Sequence, residues 1–210
     1  MQTLLDLIPA TKDGRFTPEP PGSTFFLGLD LGLRQDHSAL AIIERAVQPT
    51  GDKNPVTWQH TTRVELRLRH ISRWPLGTPY HQITNDLTAR IAKQPLANNC
   101  ILAVDATGVG DPIVESIKAA RPAARRIIPV VITGPGHAHW LNSRLIVPRQ
   151  DLIANLQLHI EQRRLRAASG TKHAQALQSE LTNFGQAGEH DDLVLATALA
   201  AYLVPKGARP

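Results

Sequence analysis

Four aspartates in this 210-residue chain stand where acid groups can do chemistry. Asp30 closes the apolar run FFLGLD and Asp105 closes ILAVD, and each is followed by a glycine-containing turn. Open α/β sheets build their sites at the carboxyl ends of strands, so neighbouring strands here would aim both carboxylates into one crevice. Asp191 and Asp192 open the last apolar run, HDDLVLATALA, directly after His190. Carboxylates converging from two strand ends and a helix start make an all-oxygen nest that suits Mg2+ or Mn2+ rather than zinc. Two such ions about 3.5–4 Å apart would clamp the attacking and leaving oxygens of a phosphodiester. Taken singly, each aspartate also has a plainer reading. Asp30 and Asp105 are good turn formers, and Asp191 or Asp192 complements a helix dipole.

The elements that must position these groups are legible in the apolar patterning. Phe25–Gly32 reads as a strand, Ser38–Val47 as a second joined to it by a hairpin loop, and Val56–Ser72 as a third with alternating faces. Ile83, Leu87 and Ile91 recur at a helical step within Tyr80–Gln94. Ile101–Asp105 is a short buried strand, Pro112–Ala120 a helix with proline near its first turn, and Ile127–Thr133 a further strand. Helices follow over about 149–164, 172–184 and 191–203. Three antiparallel strands, then two parallel strands joined by crossovers and flanked by helices, give a mixed sheet of the α/β class. Residues 1–22, punctuated by Pro9, Pro18, Pro20 and Pro21, read as an arm or linker in which Leu4–Ile8 forms a helical turn. The domain is expected over 23–205, with 206–210 as a tail.

Length and composition fit one globular domain: 42% of the residues are hydrophobic and 20% charged. No apolar run reaches the length of a membrane span, and the N-terminus lacks the pattern of a secretory signal, so no membrane partner and a cytoplasmic location are expected. The lone cysteine, Cys100, reads as a buried structural thiol. The net charge is +5. Between Lys118 and Arg166 stand Lys118, Arg121, Arg125, Arg126, Arg144, Arg149, Arg163, Arg164 and Arg166, against only Asp151 and Glu161. Arginine's planar fork suits phosphate, so this segment reads either as a surface following a nucleic-acid backbone or as a set of solvated helix faces. With 4% aromatic residues, base stacking is not expected as the main binding mode, and Trp74 reads as a loop anchor.

The ordered set FFLGLDLGLRQDHSALAII, HISRWPLGTPYHQITNDL, LAVDATGVGDPIVESI, VPRQDLIANLQLHIEQRRL and LQSELTNFGQAGEHDDLVLATALA resembles the C-terminal nuclease domain of tailed-phage terminase large subunits. The resemblance covers residues 24–204. It implies an RNase H-like, resolvase-like fold and a metal-dependent endonuclease that cuts concatemeric double-stranded DNA during genome packaging. It further implies two Mg2+ or Mn2+ ions held by Asp30, Asp105 and Asp191. Laying the resolvase-like helix pattern D-A-L-A-L-A on D-D-L-V-L-A selects Asp191 as the ligand, with Asp192 beside it as a supporting or alternative one. Asp36, in the loop between the first two strands, matches a further acidic position and reaches the metals through water. Turn chemistry is its equal alternative. His190 is read either as orienting a water or as an exposed residue at the helix start, and the TGVG loop either as phosphate-facing or as a turn. Implied partners are a portal protein, a small terminase subunit and a separate packaging ATPase, in the bacterial host cell.

The chain departs from complete large subunits in carrying no G-x-x-x-x-G-K-[ST] loop. It is therefore expected to be an excised nuclease domain, a split subunit or a prophage remnant. Two rival readings stand beside the nuclease. One is a non-catalytic prophage-derived module that binds DNA or serves assembly; the other is an ATPase of the actin-like fold, which also opens with an Asp-x-Gly hairpin.

Overall fold

A computed structural model describes residues 6–8, 23–32, 36–58, 60–108, 110–168, 170–185 and 190–205. In chain order the elements are β1 (Asp6–Ile8), β2 (Thr24–Asp30), β3 (Ala39–Lys53), β4 (His60–Arg73), α1 (Tyr80–Ile91), β5 (Cys100–Asp105), α2 (Gly110–Ala119), β6 (Arg126–Thr133), β7 (His139–Leu141), β8 (Arg144–Pro148), α3 (Arg149–Glu161), β9 (Leu165–Ala168), α4 (Ala174–Asn183) and α5 (Asp192–Tyr202). The strands form one mixed sheet in the order β1-β9-β4-β3-β2-β5-β6-β8-β7. As the sequence leads one to expect, β2, β3 and β4 form an antiparallel meander, and β5 and β6 then add parallel to β2.

Three features differ from the sequence expectation. Within the helical turn expected over Leu4–Ile8, Asp6–Ile8 is instead a strand, paired in parallel with Arg166–Ala168. The segment around Trp140 folds as the short hairpin of β7 and β8, extending the sheet beyond β6. The helix expected to reach Arg164 ends at Glu161, and Leu165–Ala168 enters the sheet between β1 and β4. The rest of the expected arm, residues 1–5 and 9–22, and the tail, 206–210, lie outside the described residues.

Strand parity sorts the side chains into two layers. Phe26, Ala41, Ile43, Leu66, Leu68 and Ala103 pack under α3, α4 and α5. Phe25, Leu27, Leu29, Leu40, Leu102 and Val104 pack under α1 and α2. A bulge in β4, where the register passes from Ile42–His70 to Ile43–Leu68, puts Leu68 and Ile71, three residues apart, into the same layer. Helix α5 is buried along almost its whole length, from Asp192 to Ala201. A helix that is apolar all round belongs in a core, and this one lies on β2 and β3 with α3 and α4 outside it. Its close approach requires Gly28: a Cβ there would lie 2.0 Å from the Ala196 carbonyl oxygen. Cys100 is fully buried, as expected, and burial pushes its thiol up to about 11.

Candidate active site

The same parity aims the strand-end carboxylates. Asp30 lies on the face of Phe26 and Gly28, and Asp105 on the face of Ala103, so both point toward the α5 layer. β2 and β5 are parallel neighbours with Leu29 opposite Val104, which brings the next residues, Asp30 and Asp105, side by side at the carboxyl end of the sheet. Asp30 is only 7% exposed. Burial holds its carboxyl well above the usual carboxylate range, and the charges of Asp105, Asp192 and Asp191 push it further the same way, as does a hydrogen bond with Asp105.

Asp105 is fixed by the turn that follows it. Its Oδ1 accepts from the Thr107 backbone N–H at 2.8 Å and from the Thr107 hydroxyl, and that hydroxyl accepts the Ile132 N–H at 2.8 Å. The Thr107 N–H therefore serves the aspartate, which favours the turn reading of this loop.

Asp191 occupies the N-cap position of α5 and Asp192 its first residue, yet neither side chain caps the helix. That task falls to Glu180 of α4, a buried residue the sequence did not single out. Its Oε2 accepts the Leu193 and Val194 N–H groups at 3.0 and 3.2 Å. Its other oxygen accepts from Arg73, at the end of β4, and the Arg73 Nε donates to Asp192. Arg149, the first residue of α3, donates to Asp191 and lies over the Phe184 ring at 5.4 Å. Each of the two helix-start carboxylates thus has its own arginine.

A cleft of about 220 Å³ is lined by Asp30, Asp36, Asp105, His190, Asp191 and Asp192. All five aspartates picked out in the sequence reach it, Asp36 from the exposed loop before β3. His190 is exposed, with its ring 5.6 Å from that of His37, whose Nδ1 lies 2.9 Å from the Trp74 carbonyl oxygen. Trp74 is a half-buried loop anchor, as expected, donating its indole N–H to Asp86 at 3.1 Å. Among the described residues no three carboxylate, imidazole or thiol groups are arranged for direct coordination. The donor chemistry nonetheless fits a hard divalent cation: the acid groups are oxygen donors only, and buried Asp30 meets like charge from three directions.

The arginine-rich segment does not form one surface beside this cleft. Lys118 ends α2, Arg121 and Arg125 precede β6, Arg126 begins it, and Arg163 and Arg164 precede β9. All of these lie toward the amino end of the parallel strands, away from the carboxylates, because a crossover helix returns the chain to that end. Arg166, also toward that end, donates to Glu65 at 3.3 Å. Of the segment's basic residues, Arg149 stands at the carboxylate end and Arg144 one residue short of the level of Asp105.

No protein-family model matches the chain. No curated protein matches it in sequence. Solved structures do. The large terminase nuclease of thermophilic phage G20c with bound magnesium is similar over 95% of this chain and 93% of its own, at 20% identity and a TM-score of 0.56. The large terminase nuclease domain of Thermus phage P74-26 aligns over 94% and 90%, at 18% identity and 0.57. The nuclease domain of the large terminase of bacteriophage SPP1 with bound Mn aligns over 94% and 96%, at 11% identity and 0.51. At this level of identity the likeness is one of fold, and the chain carries the RNase H-like fold of the large terminase nuclease domains.

Proposed function

We propose that the chain is a metal-dependent DNA endonuclease of the terminase large-subunit type. The observation that carries this reading is the meeting of Asp30, Asp105, Asp191 and Asp192 in one cleft, with Asp30 buried and facing the negative charge of the other three. Asp30, Asp105 and Asp191 would hold two Mg2+ or Mn2+ ions, with Asp192 as a supporting or alternative ligand and Asp36 acting on them through water. Magnesium in one structural neighbour and manganese in another support the choice of ion. Bound there, the ions supply a water of lowered pKa and positive charge for the leaving oxygen.

The chain's own residues do the rest. Thr107 fixes Asp105, and Glu180 together with Arg73 fixes the start of α5, so the acid groups are held on rigid elements rather than on loops. Arg149 and Arg73 balance Asp191 and Asp192 until a cation does so. His190 lines the cleft, with His37 against its ring, as a group that could orient a water. The biological task is cleavage of concatemeric double-stranded DNA during packaging in the bacterial host cytoplasm, alongside a portal protein, a small terminase subunit and a separate packaging ATPase.

The test is conversion of supercoiled plasmid to nicked and linear forms in Mg2+ or Mn2+. Wild type is expected to cut, and Asp30→Asn, Asp105→Asn and Asp191→Asn to lose at least about a hundredfold in rate. Inert wild-type protein, or aspartate variants that cut as well as wild type, would leave the non-catalytic DNA-binding or assembly reading instead.

A further inference from the structure

A second polar pocket opens at the same end of the sheet, on the α1 side. It encloses about 400 Å³ and is lined by Ser72, Arg73, Trp74, Asp86, Arg90 and Lys93. In the strand register Arg73 faces Ala39, and Ala39 faces Asp30. The Arg73 end of the pocket thus stands two strands from the buried carboxylate, about 10 Å at the usual strand spacing, while Arg90 and Lys93 close its other end, where α1 leads back toward the amino ends of the strands. That distance is roughly three base-pair rises along a duplex axis.

The charges of the pocket are unequally committed. Arg73 is matched by Asp192 and Glu180 on the far side of the strand. Asp86 accepts from the Trp74 indole. Arg90 and Lys93, both exposed on the last turn of α1 and just beyond it, have no ion-pair partner among the described residues. The field around them is positive: burial first, then the charges of Arg90, His173 and Lys172, lower the neighbouring His70 imidazole to about 4. The one carboxylate that lines the pocket, Asp86, is outnumbered by Arg90 and Lys93. The Ser72 hydroxyl adds a neutral donor, shared with His70 Nε2 at 2.9 Å.

We infer that this pocket binds a backbone phosphodiester of the DNA strand a few nucleotides from the bond to be cut, gripped by Arg90 and Lys93 and tied through Arg73 to the catalytic carboxylates. The inference rests on the nuclease reading and adds to it where the substrate lies: across β3 and β4 on the α1 side, rather than along the arginines that precede β6 and β9. Contacts of this kind fix register without reading bases.

The experiment is fluorescence anisotropy of a short labelled duplex with the full chain carrying Asp30→Asn, compared with the same protein carrying Arg90→Gln and Lys93→Gln, over about 50 to 200 mM salt. Plasmid cleavage is run alongside with Asp30 intact. Both substituted residues are exposed, and a thermal melt verifies that the variant folds. Loss of the two contacts is expected to weaken binding about tenfold at the lower salt and to make the salt dependence shallower by about two charges. The far-end pair Lys118→Gln and Arg121→Gln is expected to leave both unchanged. If the parent cuts and binds DNA while the pocket variant keeps its affinity and salt slope, or loses no more than the far-end pair, the phosphate pocket is wrong and the nuclease stands. If wild type neither cuts nor binds, the nuclease reading falls and the pocket with it. If inorganic phosphate or ATP stabilises the protein through Arg90 and Lys93 while duplex affinity is untouched, the pocket serves a free phosphate ligand and the DNA assignment is overturned.

Discussion

Replacing Gly28 with alanine puts a methyl group into the contact between β2 and α5. The new Cβ would lie 2.0 Å from the Ala196 carbonyl oxygen, 2.7 Å from the Ala200 nitrogen and 3.0 Å from the Leu199 Cβ. The two shortest contacts are to backbone, so no rotamer change relieves them, and the whole helix must retreat from the sheet by at least about 1 Å. A gap of that size forfeits a quarter to a half of the dispersion energy of the atoms it separates. Overpacking of a rigid core costs about 1–3 kcal/mol, and a backbone clash in a helix buried from Asp192 to Ala201 belongs at the upper end, about 3 kcal/mol. For a chain of this length that lowers the melting temperature by about 6–12 °C. The same retreat draws Asp191 and Asp192 away from Asp30, so the variant should also lose stabilisation by Mn2+. The assay is calorimetric melting with and without Mn2+, beside Gly51→Ala, whose Cβ would meet nothing within 4 Å and which should melt with wild type. A Gly28→Ala protein that melts within about 2 °C of wild type and keeps its metal response would refute the reasoning.

Three further outcomes are expected. Asp30→Asn should raise the melting temperature at neutral pH in EDTA while abolishing stabilisation by Mn2+. Burial and like charge raise the Asp30 pKa in the folded state, so folding favours its protonated form, and the stability this gives is lost as pH rises through the folded value. Lower EDTA stability in Asp30→Asn would contradict this. Glu180→Ala should cost about 3 kcal/mol in urea unfolding, because it uncaps α5 and strips Arg73 of one partner; Glu180→Gln, which keeps an acceptor, should cost less. Losses equal in the two variants would show that the ion pair alone matters and the capping acceptor does not. Burial and neighbouring charge lower His70 to about 4 in the folded state, so the unfolded chain binds the extra proton between about pH 4 and 6.5 and stability is lost as pH falls across that window. Discounted for partial exposure, His70 should account for about 1 kcal/mol of the loss between pH 7 and 5, read as the difference from His70→Gln in urea unfolding at both values.

The aspartates of the cleft were legible because their signals are local. An apolar run ending on a carboxylate before a glycine turn marks Asp30 and Asp105, and an acidic pair opening a long apolar run marks Asp191 and Asp192. Their supports were not legible. Arg73 lies 119 residues from Asp192 and 107 from Glu180, Arg149 lies 42 from Asp191, and no periodicity links such positions. Glu180 sits in the expected helix without any capping pattern, because it caps a neighbouring helix rather than its own. The short strands failed for a related reason. Asp6–Ile8, His139–Leu141 and Leu165–Ala168 are too brief to show alternation, and only their partners make them strands. The charge count between Lys118 and Arg166 was correct, but crossover topology carries most of those side chains to the other end of the sheet. Arg90 and Lys93, outside the stretch that the charge count singled out, line a polar pocket with Arg73.

The central claim is that Asp30 and Asp105 hold a divalent cation. Anomalous diffraction from a crystal soaked in Mn2+ tests it most directly. The account predicts a manganese peak between the Asp30 and Asp105 carboxylates, with Asp191 turned from Arg149 toward it, and no such peak in Asp30→Asn. A cleft without manganese in crystals of protein that cuts plasmid in the same Mn2+ buffer, or a peak unaltered by Asp30→Asn, would contradict it.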